Sequence, residues 1–288
     1  MTAAICPIGE SCLSVMAIIL VLAGCGSSDN ASSASGSSGD VKKIIVGTGT
    51  QFKNVCFIDE NGNLTGFDVE LIKELDKRLP QYEFEFKTMD FGNLLLSLDA
   101  GKIDLVSHQM EKNPEREAKY LFNKNPYSIF LNRVAVAKDN NTIHSIDDLK
   151  GKKVLTSPTS NAAYVLKEYN KTHGDALNIV YTSGAANDTV QQITSGRIDA
   201  TVTTDFANRF NTDEKGEVAL KTVGDPLTQS DVLYVLNKNE QGLADDLDKA
   251  IQEVKDDGTL SKLSIKWLGE DFTKSLEDVK KEGSSSKK

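Results

Sequence analysis

The chain has 288 residues, 39% of them hydrophobic and 26% charged, a globular balance with length enough for two cores. Its formal charge is -9 at pH 7, from 42 acidic against 33 basic residues. Such acidity argues against nucleic acid as a partner, which calls for a basic face, and suits a well-solvated surface.

Residues 1–25 read as an export signal. Leu13 to Leu22 is an apolar run too short to span a bilayer comfortably, as a signal-peptide core should be. The stretch before it departs from the usual basic pattern, with no Lys or Arg and with Pro7 and Glu10. Leu22-Ala23-Gly24-Cys25 resembles the lipobox of bacterial lipoproteins, which implies that Cys25 takes lipid and becomes the new N-terminus. Residues 26–40 are almost entirely Gly, Ser and Ala and read as a flexible tether. Cys6 and Cys12 belong to the signal, so Cys56 alone stays in the folded part, and one thiol cannot form an internal disulfide. No metal-ligand spacing joins Cys56, His108, His144 and His173, so the sequence calls for no metal and no cofactor.

Ile44 to Thr48 predicts a strand, followed by an irregular loop over 49–59 and an Asn61-Gly62 turn. Asp68 is expected to cap or open a helix with Val69, Leu71, Ile72, Leu75 and Leu79 on its apolar face, stopped by Pro80. Tyr82, Phe84 and Phe86 alternate with charged residues as in a half-exposed strand. Then comes a phrase that occurs twice: Leu98-Asp99-Ala100-Gly101-Lys102-Ile103-Asp104-Leu105-Val106 is echoed by Ile193-Thr194-Ser195-Gly196-Arg197-Ile198-Asp199-Ala200-Thr201. Each copy ends an amphipathic helix, turns at a Gly suited to the left-handed C′ position, and enters a short strand. Two such units predict an α/β protein of two similar lobes, with a ligand cleft at the facing strand ends.

Between the copies, Val134 to Ala137 reads as a short extended run and 138–147 as a polar crossing. Thr156 to Asn161 reads as a polar loop and Ala162 to Tyr169 as a helix beginning right after it. Val223-Gly224-Asp225-Pro226 suggests the return crossing, and helices follow at Leu243 to Val254 and from Asp257 to Trp267. The expected division is lobe 1 at 41–133 plus 229–272, lobe 2 at 138–227, and a frayed tail at 273–288, with two crossings suited to a hinge.

At this point the chain resembles the polar amino acid-binding proteins of bacterial ABC importers, which have the two-lobed periplasmic-binding fold. The matching pieces include Gly62-Asn63-Leu64-Thr65-Gly66-Phe67-Asp68-Val69-Glu70-Leu71, Asp90-Phe91, both copies of the repeated phrase, Leu149 to Val154, and Asp257-Gly258-Thr259-Leu260 with Lys266-Trp267. The run His108 to Arg116 is most similar to the cystine-binding lipoproteins of Gram-positive bacteria.

The resemblance implies a set of ligand contacts. Arg116 stands where the family grips the ligand α-carboxylate, a task for a planar, permanently charged guanidinium, although a surface pair with Glu111 or Glu115 is the alternative. Ser160 and Asn161 match the polar pair of lobe 2, at a helix start that favours an anion but could equally be a plain N-cap. Many relatives hold the ligand ammonium with an Asp where this chain has Thr204, next to Asp205, so Glu111 is the preferred partner and Asp205 the second. Phe52 and Phe91 match the aromatic walls, and either could instead be core. Gly49 lies where binders of Lys and Arg often carry an Asp, which disfavours a cationic side chain. His108 and Gln109 could serve the polar far end of a long ligand, or be structural. Cys56 could exchange with a disulfide ligand if exposed, or be a buried, inert thiol.

The resemblance therefore implies an extracellular substrate-binding lipoprotein, monomeric and anchored to the cell membrane through Cys25. It would deliver an amino acid, L-cystine or a related sulfur amino acid, to an ABC permease. Glutamine or glutamate is the alternative ligand. A lyase or dehydratase on the same fold, using Glu111 and His108 as acid and base, is a competing class, and a sensor or adhesin is another.

Overall fold

The structure is a computed structural model that describes residues 41–182, 186–213 and 215–274. The signal-like segment with Cys25, the tether at 26–40 and the tail beyond 274 lie outside the described residues. In β1 (Lys42–Thr48) Ile44 and Val46 pack on one face and Ile45 on the other, the pattern of a strand covered by helices on both sides. The short strands β2 (Gln51–Phe52), β3 (Cys56–Ile58) and β4 (Leu64–Thr65) form a small antiparallel sheet where an irregular loop was expected. Next come α1 (Phe67–Asp76), β5 (Tyr82–Thr88), α2 (Phe91–Asp99), β6 (Leu105–Val106), α3 (Pro114–Lys119) and β7 (Leu121–Phe122).

The second half begins with β8 (Ser128–Ala137) and a 3-10 turn at Ile146–Leu149. It continues through β9 (Lys153–Thr156), α4 (Asn161–His173), β10 (Asn178–Tyr181), α5 (Ala186–Thr194), β11 (Ala200–Thr204) and α6 (Asp205–Asn208). It closes with β12 (Leu220–Val232), β13 (Val235–Leu236), α7 (Gln241–Asp256) and α8 (Thr259–Leu268). The first lobe's sheet runs β5-β1-β6-β13-β7 and the second's β10-β9-β11-β8-β12. The two-lobed α/β expectation is met, and β13 returns the chain to the first sheet.

The repeated phrase does the same work in both lobes. Gly101 (φ 63°) and Gly196 (φ 72°) both take the left-handed conformation that ends a helix cheaply. The following Asp then reaches the neighbouring strand with backbone and side chain together. Asp104 donates its N–H to Ile45 O and accepts Ile45 N–H, both at 2.8 Å. Asp199 does so with Lys153, at 3.0 and 2.8 Å. The strands so fixed, β6 on β1 and β11 on β9, are parallel.

Two expectations are corrected. Passage between the sheets lies between Phe122 and Ser128 and between Val232 and Val235, not at 138–147 and 223–226. Val134 to Ala137 is the end of the long β8, and residues 223–228 are a register shift in β12, which pairs with β8 throughout. Asp68 is no cap: Gly66 precedes α1, and the Asp68 carboxylate is buried inside the lobe.

Candidate ligand-binding cleft

Loops beyond the carboxyl ends of β1, β6, β9 and β11 meet across the two lobes, the place where open α/β sheets hold ligands. An inner cavity of about 230 Å³ is walled by Phe52, Phe91, His108, Glu111 and Arg116 of the first lobe. Ser160, Asn161 and Thr204 of the second face them. An outer chamber of about 410 Å³ continues past Phe52, Phe91 and His108 to Gly49, Asp90 and the Thr156–Ser160 loop.

Arg116 owes its place to local sequence. Asn113 accepts the Arg116 N–H at 2.9 Å as N-cap of α3, and Pro114 supplies the preset φ of the first helical position. The guanidinium is buried and donates to Glu111 O at 2.6 Å and, across the cleft, to Thr159 O at 2.8 Å. It makes no ion pair among the described residues, so neither Glu111 nor Glu115 claims it as a salt-bridge partner. Burial lowers its pKa against the nearby Glu111 charge, and a guanidinium stays protonated regardless.

Glu111 is the anionic counterpart. Burial pushes its pKa up, opposed by hydrogen bonds from Ser230, Asn161 and Asn132. Its Oε1 accepts from Asn132 Nδ2 on β8 at 2.6 Å and from Asn161 Nδ2 of the second lobe at 2.9 Å. Asn113 Nδ2 donates to Asn161 Oδ1 at 3.1 Å. Asn113 and Asn132, absent from the sequence-derived set, thus complete a polar network that crosses the cleft.

Other expected residues divide. Ser160 is the N-cap of α4, accepting Ala163 N–H at 3.1 Å and donating to Ser157 O at 2.8 Å. Thr204 lines the cavity and caps α6 through Ala207 N–H. Asp205 is not brought to the inner cavity. One position further along the chain, its carboxylate pairs with Arg133 Nε and Thr222 Oγ1, both at 3.2 Å. Gln109 lines the cavity, but its backbone and side-chain N–H groups are both spent on Asp68.

His108 is neutral, its pKa pushed down to about 4 by burial, and its Nδ1 has no hydrogen-bond partner among the described residues. Its ring centroid lies 5.7 Å from Phe52 and 5.0 Å from Phe91. Gly49 is required beside it, since a Cβ there would stand 2.6 Å from His108 Nε2. The imidazole therefore fills the space a side chain at 49 would need. Phe52 also stacks on Phe206, with centroids 6.1 Å apart. Cys56 is fully buried beneath this wall, and desolvation raises its thiol to about 12, which leaves it inert at neutral pH.

A buried cation and a buried carboxylate on one side of a cavity, aromatic rings beside them and side-chain amides opposite make a receptacle for a small zwitterion. The chain is 53% identical to the L-cystine-binding protein TcyK of Bacillus subtilis over 88% of this chain and 93% of the relative. It is 50% identical to TcyJ of the same organism, also an L-cystine-binding protein, over 78% of this chain and 84% of the relative. A Listeria monocytogenes structure ascribed to an L-cystine ABC transporter superposes with a TM-score of 0.77 at 54% identity, covering 81% of this chain and 99% of the other. The model of the bacterial extracellular solute-binding proteins, family 3, matches residues 44–270, nearly the whole two-lobed body, and this chain belongs to that family.

Proposed function

We propose that this protein is the extracellular binding component of an amino acid importer and that its ligand is L-cystine. The observation that carries the reading is the pairing of buried Arg116, free of any ion pair among the described residues, with buried Glu111 on one cavity wall. Arg116 would exchange its carbonyl partners for the ligand α-carboxylate, and Glu111 with Asn161 would take the α-ammonium. Phe52 and Phe91 would flank the polarizable disulfide. The distal half of cystine would extend into the outer chamber. There Asp90, whose side chain caps no amide of α2, supplies a carboxylate for the second ammonium.

The two lobes would close about the crossings at 123–127 and 233–234, with the Arg116, Asn113 and Glu111 contacts to the second lobe as the latch. Lipidation at Cys25 would hold the monomeric protein at the outer face of the membrane, within reach of an ABC permease. The relatives are solute-binding proteins, and a carboxylate already bonded to two amides fits a binding role better than an acid–base one.

A thermal-shift panel of amino acids tests the assignment, because a ligand that binds only the native state raises the midpoint. L-Cystine should raise it at micromolar concentration, and glutamine, glutamate and arginine should not. A shift from arginine or glutamine alone contradicts the reading.

A further inference from the structure

Behind the cavity wall lies a buried carboxylate that the ligand contacts do not use. Asp68 sits at the second position of α1 with no exposed surface and no cation among the groups that act on it. Three donors converge on it. The Gln109 backbone N–H reaches Oδ2 at 2.7 Å, the Gln109 side-chain amide reaches Oδ1, and the Tyr127 hydroxyl reaches Oδ2 at 3.0 Å.

The residue held from two sides is itself unusual. Gln109 has φ 49°, a left-handed conformation in which a Cβ is strained and which residues other than Gly visit mainly when the surroundings compel it. Its neighbours explain the need. His108 on one side stands in the wall between Phe52 and Phe91, and Glu111 two residues on the other side faces Asn161. On its far side the turn is fastened by Leu233 N–H to Met110 O at 3.0 Å and by the bridge of Glu111 to Val232. Asp68 therefore fastens the Gln109 amide itself, with the Tyr127 hydroxyl beside it on the same oxygen. Its two oxygens match the two N–H groups of a single residue in a way no apolar packing could.

We propose that Asp68 is a positioning residue, which locks the turn at Gln109 so that His108 and Glu111 are presented to the ligand while Asp68 touches no ligand atom. The structure of the turn is independent of what the cleft binds, and only the affinity arm below rests on the cystine reading. Asn at 68 would offer one acceptor and turn an NH₂ toward the Gln109 donors, so the clamp opens. Gly at 109 needs no clamp, because it adopts positive φ without strain.

The test combines hydrogen exchange with L-cystine calorimetry on Asp68→Asn, Gln109→Gly and the double variant. Asp68→Asn should speed exchange of the Gln109 amide in the ligand-free protein and weaken L-cystine binding about tenfold. Adding Gln109→Gly should restore affinity to within about threefold of wild type, a rescue that general destabilisation would not allow. Unchanged exchange at Gln109 in Asp68→Asn, or a double variant as weak as the single, overturns the proposal. Should Asp68→Asn fail to fold, Gln109→Gly binding more tightly than Gln109→Val supports it, and equal binding by the two overturns it. If wild type ignores L-cystine the ligand assignment fails, and the exchange arm still decides the role of Asp68.

Discussion

His108, the chain neighbour of Gln109, and Asp68, which accepts the Gln109 N–H, respond to acid in opposite directions. Burial drops the His108 pKa from 6.5 to about 4, so the folded protein resists its protonation and loses stability as pH falls through that interval. Burial raises Asp68 from 3.8 to about 6, so the folded protein favours its protonated form and gains stability as pH falls from about 6 to about 4. Each shift is about two units or slightly more, on the order of 3 kcal/mol, and the two offset one another. Urea unfolding of ligand-free protein between pH 6.5 and 4.5 should separate them. Asp68→Asn should lose stability on acidification relative to wild type, and His108→Gln should gain it. Identical pH slopes in all three proteins would show that neither group is buried as described.

At the scale of elements, α3 shows how a short helix can join a cap to a latch. Asn113 satisfies the Arg116 N–H and also reaches Asn161 across the cleft. Asn113→Ala should cost about 1 kcal/mol of stability for the lost cap and should also speed ligand dissociation. Denaturant titration with stopped-flow release would register both, and an unchanged release rate would remove Asn113 from the latch.

The helices and the two helix-Gly-strand units were legible because 3.6-residue spacing and a left-handed Gly are local signals. The β2–β4 sheet was not, since strands of two or three residues show no period. The crossing was misplaced because Val134 to Ala137 carries the apolar signal, while the earlier part of β8 is mixed with Asn132 and Arg133. In the cleft, the places of Arg116 and Glu111 follow from motif. Partner choice does not, because it depends on distant residues. Gln109 is spent on Asp68, 41 positions away, and Asp205 on Arg133, 72 positions away.

At the scale of the molecule, two separate sheets are joined by the crossings at 123–127 and 233–234, and the polar groups around the cavity bridge the lobes directly. Arg116 holds Thr159, while Asn161 holds Glu111 and accepts from Asn113. A zwitterionic ligand that enters must replace some of these bonds with stronger, charge-assisted ones. The most direct test is calorimetric titration of L-cystine into wild type and Arg116→Ala. Wild type should bind at micromolar concentration or tighter. Arg116→Ala should lose about 2–5 kcal/mol, roughly 30-fold to several thousand-fold, by leaving the ligand carboxylate buried without its partner. Equal binding by the two proteins, or a wild type that prefers arginine, would contradict the account.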